Sequence, residues 1–180
     1  MGYRFEYDWF SPNIPAFEKC LGPLAGRKVY GMEIGTHEGR SAVWALQNVL
    51  THPGARLLCI DIKEHENLAG NLLATGQNYK ADVQIGASRD VLWRLGNYLF
   101  DFAYIDGSHW PCDVLEDAVL AFRRLKVGGV LGFDDYLWND PSFNEHGTPK
   151  IAIDAFLTCY AHKLEVLEHG YQVWVRKTSD

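Results

Sequence analysis

The sequence lacks any long apolar run. No segment approaches the roughly 20 consecutive apolar residues that a membrane-spanning helix needs, so no membrane partner is expected. The first ten residues, MGYRFEYDWF, carry acidic side chains and no apolar stretch, which is unlike a secretory signal. Cysteine is scarce: Cys20, Cys59, Cys112 and Cys159 lie far apart and form no CxxC pair. That spacing argues against a disulfide framework or a zinc site and for reduced thiols, and with the absent signal it points to the cytoplasm. Basic residues are outnumbered, 17 Lys and Arg against 23 Asp and Glu, for a net charge of −6. Non-specific nucleic-acid affinity comes from clustered Lys and Arg, so a nucleic-acid partner is not expected. Proline and glycine, seven and 17, are too scattered for a linker-like or collagen-like chain. What remains is ordinary globular material: 180 residues, enough for one domain, 47% hydrophobic and 13% aromatic, with six Trp.

Along the chain the composition shifts once. Residues 1–27 are aromatic and punctuated by Pro and Gly, as in SPNIPAF and LGPLAG, and read as a segment that caps the rest or meets a partner copy. From residue 28 to 180, short apolar runs alternate with helical patterns. Strands are predicted at 28–34, 56–61, 82–86, 100–106 and 130–135. Helices are predicted at 41–50, 63–75, 88–95, 112–126 and 149–161; the fourth carries the stripe Val114, Leu115, Ala118, Val119, Phe122 and Leu125. LEVLEH and YQVWVRK, parted by Gly170, read as a closing antiparallel hairpin. Alternating strands and helices imply an α/β fold with right-handed crossovers and helices on both faces of a mostly parallel sheet, closed by one antiparallel strand.

Such sheets bind ligands outside the carboxyl ends of their strands, at the point where strand order reverses. The predicted strands end in Glu33-Ile34-Gly35, Asp61, Gly86-Ala87-Ser88, Asp106 and Asp134-Asp135, so four of the five carry a carboxylate. A purely structural sheet gains nothing from gathering like charges on one edge. The first strand runs into EIGTHEGRS, a strand–glycine–helix turn of the kind that lets backbone approach a ligand. It is not the GxGxxG of dinucleotide sites: Thr36 and His37 stand between Gly35 and Gly39, and the third glycine is missing. Glu33 would repel phosphates, which favours a cationic, phosphate-free cofactor. Asp61, 22 residues after Gly39, sits where a carboxylate takes both ribose hydroxyls.

EIGTHEGRS followed by CID resembles the cofactor-binding motifs of class I S-adenosylmethionine-dependent methyltransferases. The likeness runs from DWFSPNIP to QVWVRK, with TPKIAIDAF matching a helix usual in the group. Its most specific part is YIDGSHWPCDVLEDAVLAFRRLKVGGVLGFDDY, which is similar to the small bacterial methyltransferases related to the catechol-type and macrocin-type O-methyltransferases. The resemblance implies a single Rossmann-like domain with a seven-stranded sheet over residues 28–180. It implies that Glu33, Gly35, Thr36, Gly39 and Ser41 hold the amino-acid part of S-adenosylmethionine, Asp61 the ribose, and Ile62, Ala87 and Ser88 the adenine. Ala87 stands where many members have an acidic residue. The resemblance further implies a divalent cation, Mg²⁺ by preference, on Asp106, Asp134 and Asp135, hard oxygen ligands that suit Mg²⁺ better than zinc. His109, three residues after Asp106, takes the position of the general base, and an imidazole can serve as a neutral base at physiological pH. The acceptor would be a hydroxyl of a small molecule, a sugar or a phenolic natural product.

The aromatics divide. Trp110, Tyr136 and Trp138 flank the proposed base and acid pair and are expected to line the acceptor pocket, while Trp44, Trp93 and Trp174 are expected in the core. Tyr3, Phe5, Tyr7, Trp9 and Phe10 would form a lid or a homodimer contact. His37 and His146 read as loop or surface residues. Two other functions stay open at this stage. An NAD-type oxidoreductase would be stabilised by NADH and not by S-adenosylmethionine. A non-catalytic S-adenosylmethionine-binding module would have no use for Asp106, His109, Asp134 and Asp135.

Overall fold

The computed structural model describes residues 2–141 and 147–180. His146 lies outside them. Seven strands form one sheet: β1 (Tyr30–Ile34), β2 (Arg56–Asp61), β3 (Ala81–Ile85), β4 (Phe100–Ile105), β5 (Leu125–Phe133), β6 (Leu164–His169) and β7 (Val173–Lys177). Their order is β3-β2-β1-β4-β5-β7-β6. The first five are parallel, and β7 runs antiparallel to both β5 and β6. The helices are α1 (Ile14–Leu21), α2 (Arg40–Asn48), α3 (Leu68–Ala74), α4 (Ser88–Arg94), α5 (Pro111–Arg123) and α6 (Pro149–Tyr160).

The central strands are continuous apolar runs because both faces are covered. Met32, Ile34, Ile60, Ala103, Ile105, Leu131 and Phe133 pack with the α5 and α6 stripes, including Val114, Phe122, Ile153 and Phe156. The second core gathers Leu57, Cys59, Phe102, Tyr104 and Trp174 with α1 and α2, so Phe17, Cys20 and Leu21 of the N-terminal segment belong to the interior. Phe17 meets Tyr104 and Trp174 edge-on, with centroids 4.8 and 4.9 Å apart. The four cysteines are free thiols. No described helix is long and apolar enough to cross a membrane.

Three sequence expectations need correction. α3 begins at Leu68, not at residue 63, because the polar stretch after Asp61 forms turns first. β5 begins at Leu125, inside what was expected to be the preceding helix. Phe100 pairs with Leu125 and Phe102 with Val130, so the intervening residues bulge out of the ladder. Gly128, at φ 88°, takes the left-handed turn of that bulge. Trp93 is 72% exposed, not core, because α4 buries Val91 and Leu92 on its other side. Trp174 is fully buried, and Trp44 is half-buried against Phe10 and Phe17.

Strand order reverses between β1 and β4. There the ladder runs one bond past each strand: Gly35 N donates to Ile60 O, Asp106 N to Ile34 O, and Asp134 N to Ile105 O, at 2.8, 2.8 and 2.9 Å. These bonds bring Gly35, Asp106 and Asp134 side by side at one edge.

Candidate active site

A cleft of about 1290 Å³ opens at that edge. It is large enough for a nucleoside-sized ligand and a second small molecule, since single-ligand pockets run to roughly 1,000 Å³. Among its lining residues are Gly35, Thr36, Ser41, Asp61, Ile62, Ala87, Ser88, Asp106, His109, Asp134 and Asp135. The sequence-predicted set is therefore brought together, with two members in special positions. Glu33 lies beneath the loop, 3% exposed. Gly39 is the left-handed N-cap of α2, at φ 79°.

The glycine loop is built for close approach. Gly35 adopts φ 90°, and an added Cβ would lie 2.0 Å from the carbonyl oxygen of Asp106. Asp61 Oδ2 accepts the His37 amide at 2.7 Å and Oδ1 accepts the Lys63 amide at 3.2 Å, which aims its carboxylate at the loop. Ile62 is 70% exposed on the cleft wall, an apolar surface placed to pack against a flat base. Under the loop, Ser41 Oγ donates to Glu33 Oε1. Glu33 Oε2 and Thr36 Oγ1 are buried without a hydrogen-bond partner among the described residues. An unpartnered buried polar atom is costly, and a ligand ammonium, which donates hydrogen bonds, would relieve it. The pocket thus fits a cationic cofactor better than a pyrophosphate.

Burial pushes the Glu33 carboxyl up to about 7, against the smaller lowering effect of Ser41. An acid whose folded pKa is raised gives stability that is complete below the unfolded value, 4.5, and is lost as pH rises through 7. Glu33→Gln removes that loss. In thermal melts without ligand, the variant is expected to gain on the order of 2–3 kcal/mol over the parent at pH 8 and almost nothing at pH 4. An equal effect at both pH values would contradict the burial argument.

The acid cluster lies on the other side of Gly35. Asp106 is recessed, and burial, then the charges of Asp134 and Asp135, hold its carboxyl well above the usual range. Burial and Asp135 push Asp134 up to about 6. Asp134 is also the end of a buried polar chain. Trp174 Nε1, which can only donate, bonds Gln172 Oε1 at 3.0 Å. Gln172 Nε2 donates to the Tyr104 hydroxyl at 3.0 Å, so that hydroxyl donates onward to Asp134 Oδ2 at 2.5 Å. Asn13 Nδ2 reaches the same oxygen at 3.3 Å, and Asp134 Oδ1 accepts the Asp135 amide. Asp135 itself sits at φ 60° and accepts the Tyr171 hydroxyl at 3.1 Å. His109 Nε2 lies 3.0 Å from Asp135 Oδ2, its ring stacked on Trp138 with centroids 4.1 Å apart. The bond to Asp135 raises the His109 pKa, against the effect of burial.

This chemistry suits a hard divalent cation: three oxygen donors whose mutual repulsion a dication would cancel. Their oxygens do not all lie within 4.8 Å of one another. The trio that does, among the described residues, is Glu6, Glu38 and His65. Glu38 is already satisfied there, with Oε2 accepting the Glu6 amide and Oε1 the Asn67 side chain, each at 2.9 Å. Asn71 adds bonds to Glu38 O and to both the N and O of Arg4, which ties residues 4–6 to α3. The same segment brings Tyr7, Trp9 and Asn13 to the cleft. His37, in the loop, has its ring 5.7 Å from Trp9. Of the three aromatics expected at the pocket, Trp138 lines it, whereas Tyr136 is buried and bonds Asp154, and Trp110 is exposed outside the lining. Sequence reasoning missed Asn13, Glu38, Tyr104, Asp117, Tyr171 and Gln172. Glu38 stood inside EIGTHEGRS, and Tyr104 and Asp117 inside the stretch from YIDGSHW to FDDY, motifs that could have drawn notice.

A methyltransferase-domain family matches residues 32–136, more than half of the chain. The chain belongs to that family. This methyltransferase-family chain is 27% identical over 124 residues to a Mycobacterium sp. (strain JLS) protein that carries an O-methyltransferase name. The match takes in 67% of the chain, which spans 54% of that relative's length. Among solved structures, it resembles the O-methyltransferase TomG of Streptomyces achromogenes, in complex with S-adenosylmethionine, with TM-score 0.69, 20% identity, and 93% and 77% of the two chains covered. It also resembles MycE of the mycinamycin biosynthetic pathway, in complex with Mg, S-adenosylhomocysteine and mycinamycin VI. There the TM-score is 0.64 and the identity 16%, over 97% of this chain and 50% of MycE. These likenesses show the class I methyltransferase fold.

Proposed function

We propose that the chain transfers the methyl group of S-adenosylmethionine to a hydroxyl of a small molecule, with a divalent cation at the acid cluster. The observation that carries this reading is the meeting of Asp106, Asp134, Asp135 and His109 beside the Gly35 loop in one cleft. S-adenosylmethionine supplies an activated methyl on a cationic sulfur. Glu33, Thr36 and Ser41 would hold its amino-acid end, Asp61 its ribose, and Ile62 would pack on its base. Asp106, Asp134 and Asp135 would hold Mg²⁺, which lowers a hydroxyl's pKa and orients it. The relatives support this coarsely, through an S-adenosylmethionine complex in one and Mg in another.

In the reaction, the acceptor oxygen forms a bond to the methyl carbon as the sulfur–carbon bond breaks. The sulfonium would become a thioether, and the imidazole of His109, held through Nε2 by Asp135, would take the hydroxyl proton. Asp135 orients the imidazole and Trp138 supports its face. The chain of Trp174, Gln172 and Tyr104 keeps Asp134 fixed. The cleft's many carboxylates favour an acceptor without phosphate, such as a sugar or phenolic natural product. Residues 2–13 act as its cap.

Direct titration with Mn²⁺, followed by its paramagnetic resonance signal, tests the metal reading. Wild type is expected to bind one ion and Asp134→Ala none, both keeping S-adenosylhomocysteine affinity. Wild type without a bound ion would remove the metal and leave His109 acting alone. Binding unchanged in Asp134→Ala would move the site elsewhere, with Glu6, Glu38 and His65 the trio to test.

A further inference from the structure

Asp117 stands where a charged residue is least expected. It falls on the buried stripe of α5, with Val114, Ala118, Ala121 and Phe122, and is only 4% exposed. It nevertheless lines the cleft together with Gly86, Ala87 and Ser88. Ser88 Oγ donates to Asp117 Oδ1 at 2.5 Å. A buried carboxylate is tolerated only with strong partners, and one hydroxyl leaves most of its acceptor capacity unused. Burial pushes its pKa up to about 6, so it is largely ionised at neutral pH.

The strand order says what would lie there. A cofactor whose ribose is held by Asp61, at the end of β2, points its base away from β1 and toward the end of β3. That end is the turn Gly86-Ala87-Ser88. Its side chains offer the base no ionised acceptor: Gly86 and Ala87 have no polar atom, and the Ser88 proton is directed at Asp117. Adenine presents an exocyclic amine, a two-proton donor, on its outer edge. We propose that Asp117, reaching into the cleft from α5, is the acceptor for that amine and makes the site selective for a 6-amino purine. This assignment rests on the S-adenosylmethionine reading above and deepens it. Discrimination by a buried polar group is strong because the wrong ligand leaves that group unpaired.

The test pairs two ligands, S-adenosylhomocysteine and S-inosylhomocysteine, whose base carries a 6-oxo acceptor in place of the amine. Calorimetric titration of wild type is expected to favour the adenosyl compound by at least about tenfold, the scale of one charge-assisted hydrogen bond. In Asp117→Asn, whose amide can donate to the oxo group, that preference is expected to collapse or invert. Ser88→Ala removes only the brace and is expected to keep it. Equal weakening of both ligands in Asp117→Asn, or loss of preference in Ser88→Ala, would make Asp117 a structural brace and overturn the assignment. Should Asp117→Asn fail to fold, a crystal structure of wild type with S-adenosylhomocysteine decides. The amine within hydrogen-bond distance of an Asp117 oxygen supports the proposal, and an amine directed elsewhere refutes it. Wild type binding neither ligand would instead overturn the cofactor reading itself.

Discussion

Replacing His109 with Ala is expected to lower kcat by about 10²- to 10⁴-fold, the usual contribution of a positioned general base, with S-adenosylhomocysteine affinity unchanged. The separation follows from geometry. His109 contacts Asp135 and Trp138 on the acid-cluster side, whereas the cofactor side is built from the loop around Gly35 and from Asp61. Its ring is partly exposed and lies outside both apolar cores, so little stability is at risk. Steady-state kinetics on any acceptor found active, together with binding of the demethylated product, checks the split. A fall in affinity as large as the fall in kcat would show that the residue holds the cofactor and not the acceptor proton.

Gly35→Ala is expected to be the most damaging single methyl in the protein. Two costs combine. The residue sits at φ 90°, where an L side chain is strained by about 1–2 kcal/mol. The new Cβ would also meet the backbone of Asp106, 2.0 Å from its oxygen and 2.4 Å from its carbon, and backbone there cannot swing aside. β1 and β4 must part at their carboxyl ends, which displaces both the loop and Asp106. A loss of several kcal/mol, on the order of 10 °C in melting temperature or outright failure to fold, is the expected result. Gly76→Ala is the control, at φ 68° with nothing within 4 Å, and should show the strain alone. Similar melts for the two variants would mean that the strand ends are looser than the close packing implies.

Most of the architecture was legible because parallel strands covered on both faces read as unbroken apolar runs. RLLCID and FDFAYID could hardly be anything else once helical stripes separated them. The strand-end acids were legible for the same reason: a charge directly after an apolar run is conspicuous. What escaped was set by tertiary contact. The polar residues after Asp61 carry no signal of where α3 starts. The glycines of KVGG signalled a turn correctly, but the turn is a bulge within β5 and not a stop before it. Asp117, although inside the stretch from YIDGSHW to FDDY, was passed over because reading a helical stripe means reading its apolar members. Tyr104 and Gln172 look like ordinary strand and loop residues until the sheet brings β7 beside β5 and aligns them behind Asp134. The N-terminal aromatics split between core and cleft, a division that no spacing in the sequence announces.

The cleft is expected to take an adenosyl cofactor that carries no phosphate. Calorimetric titration of the wild-type chain with S-adenosylhomocysteine, and separately with NADH, tests it most directly. Micromolar binding of the first at one site per chain and no heat from the second is the predicted result. NADH binding in the absence of S-adenosylhomocysteine binding would make the cleft a dinucleotide site instead.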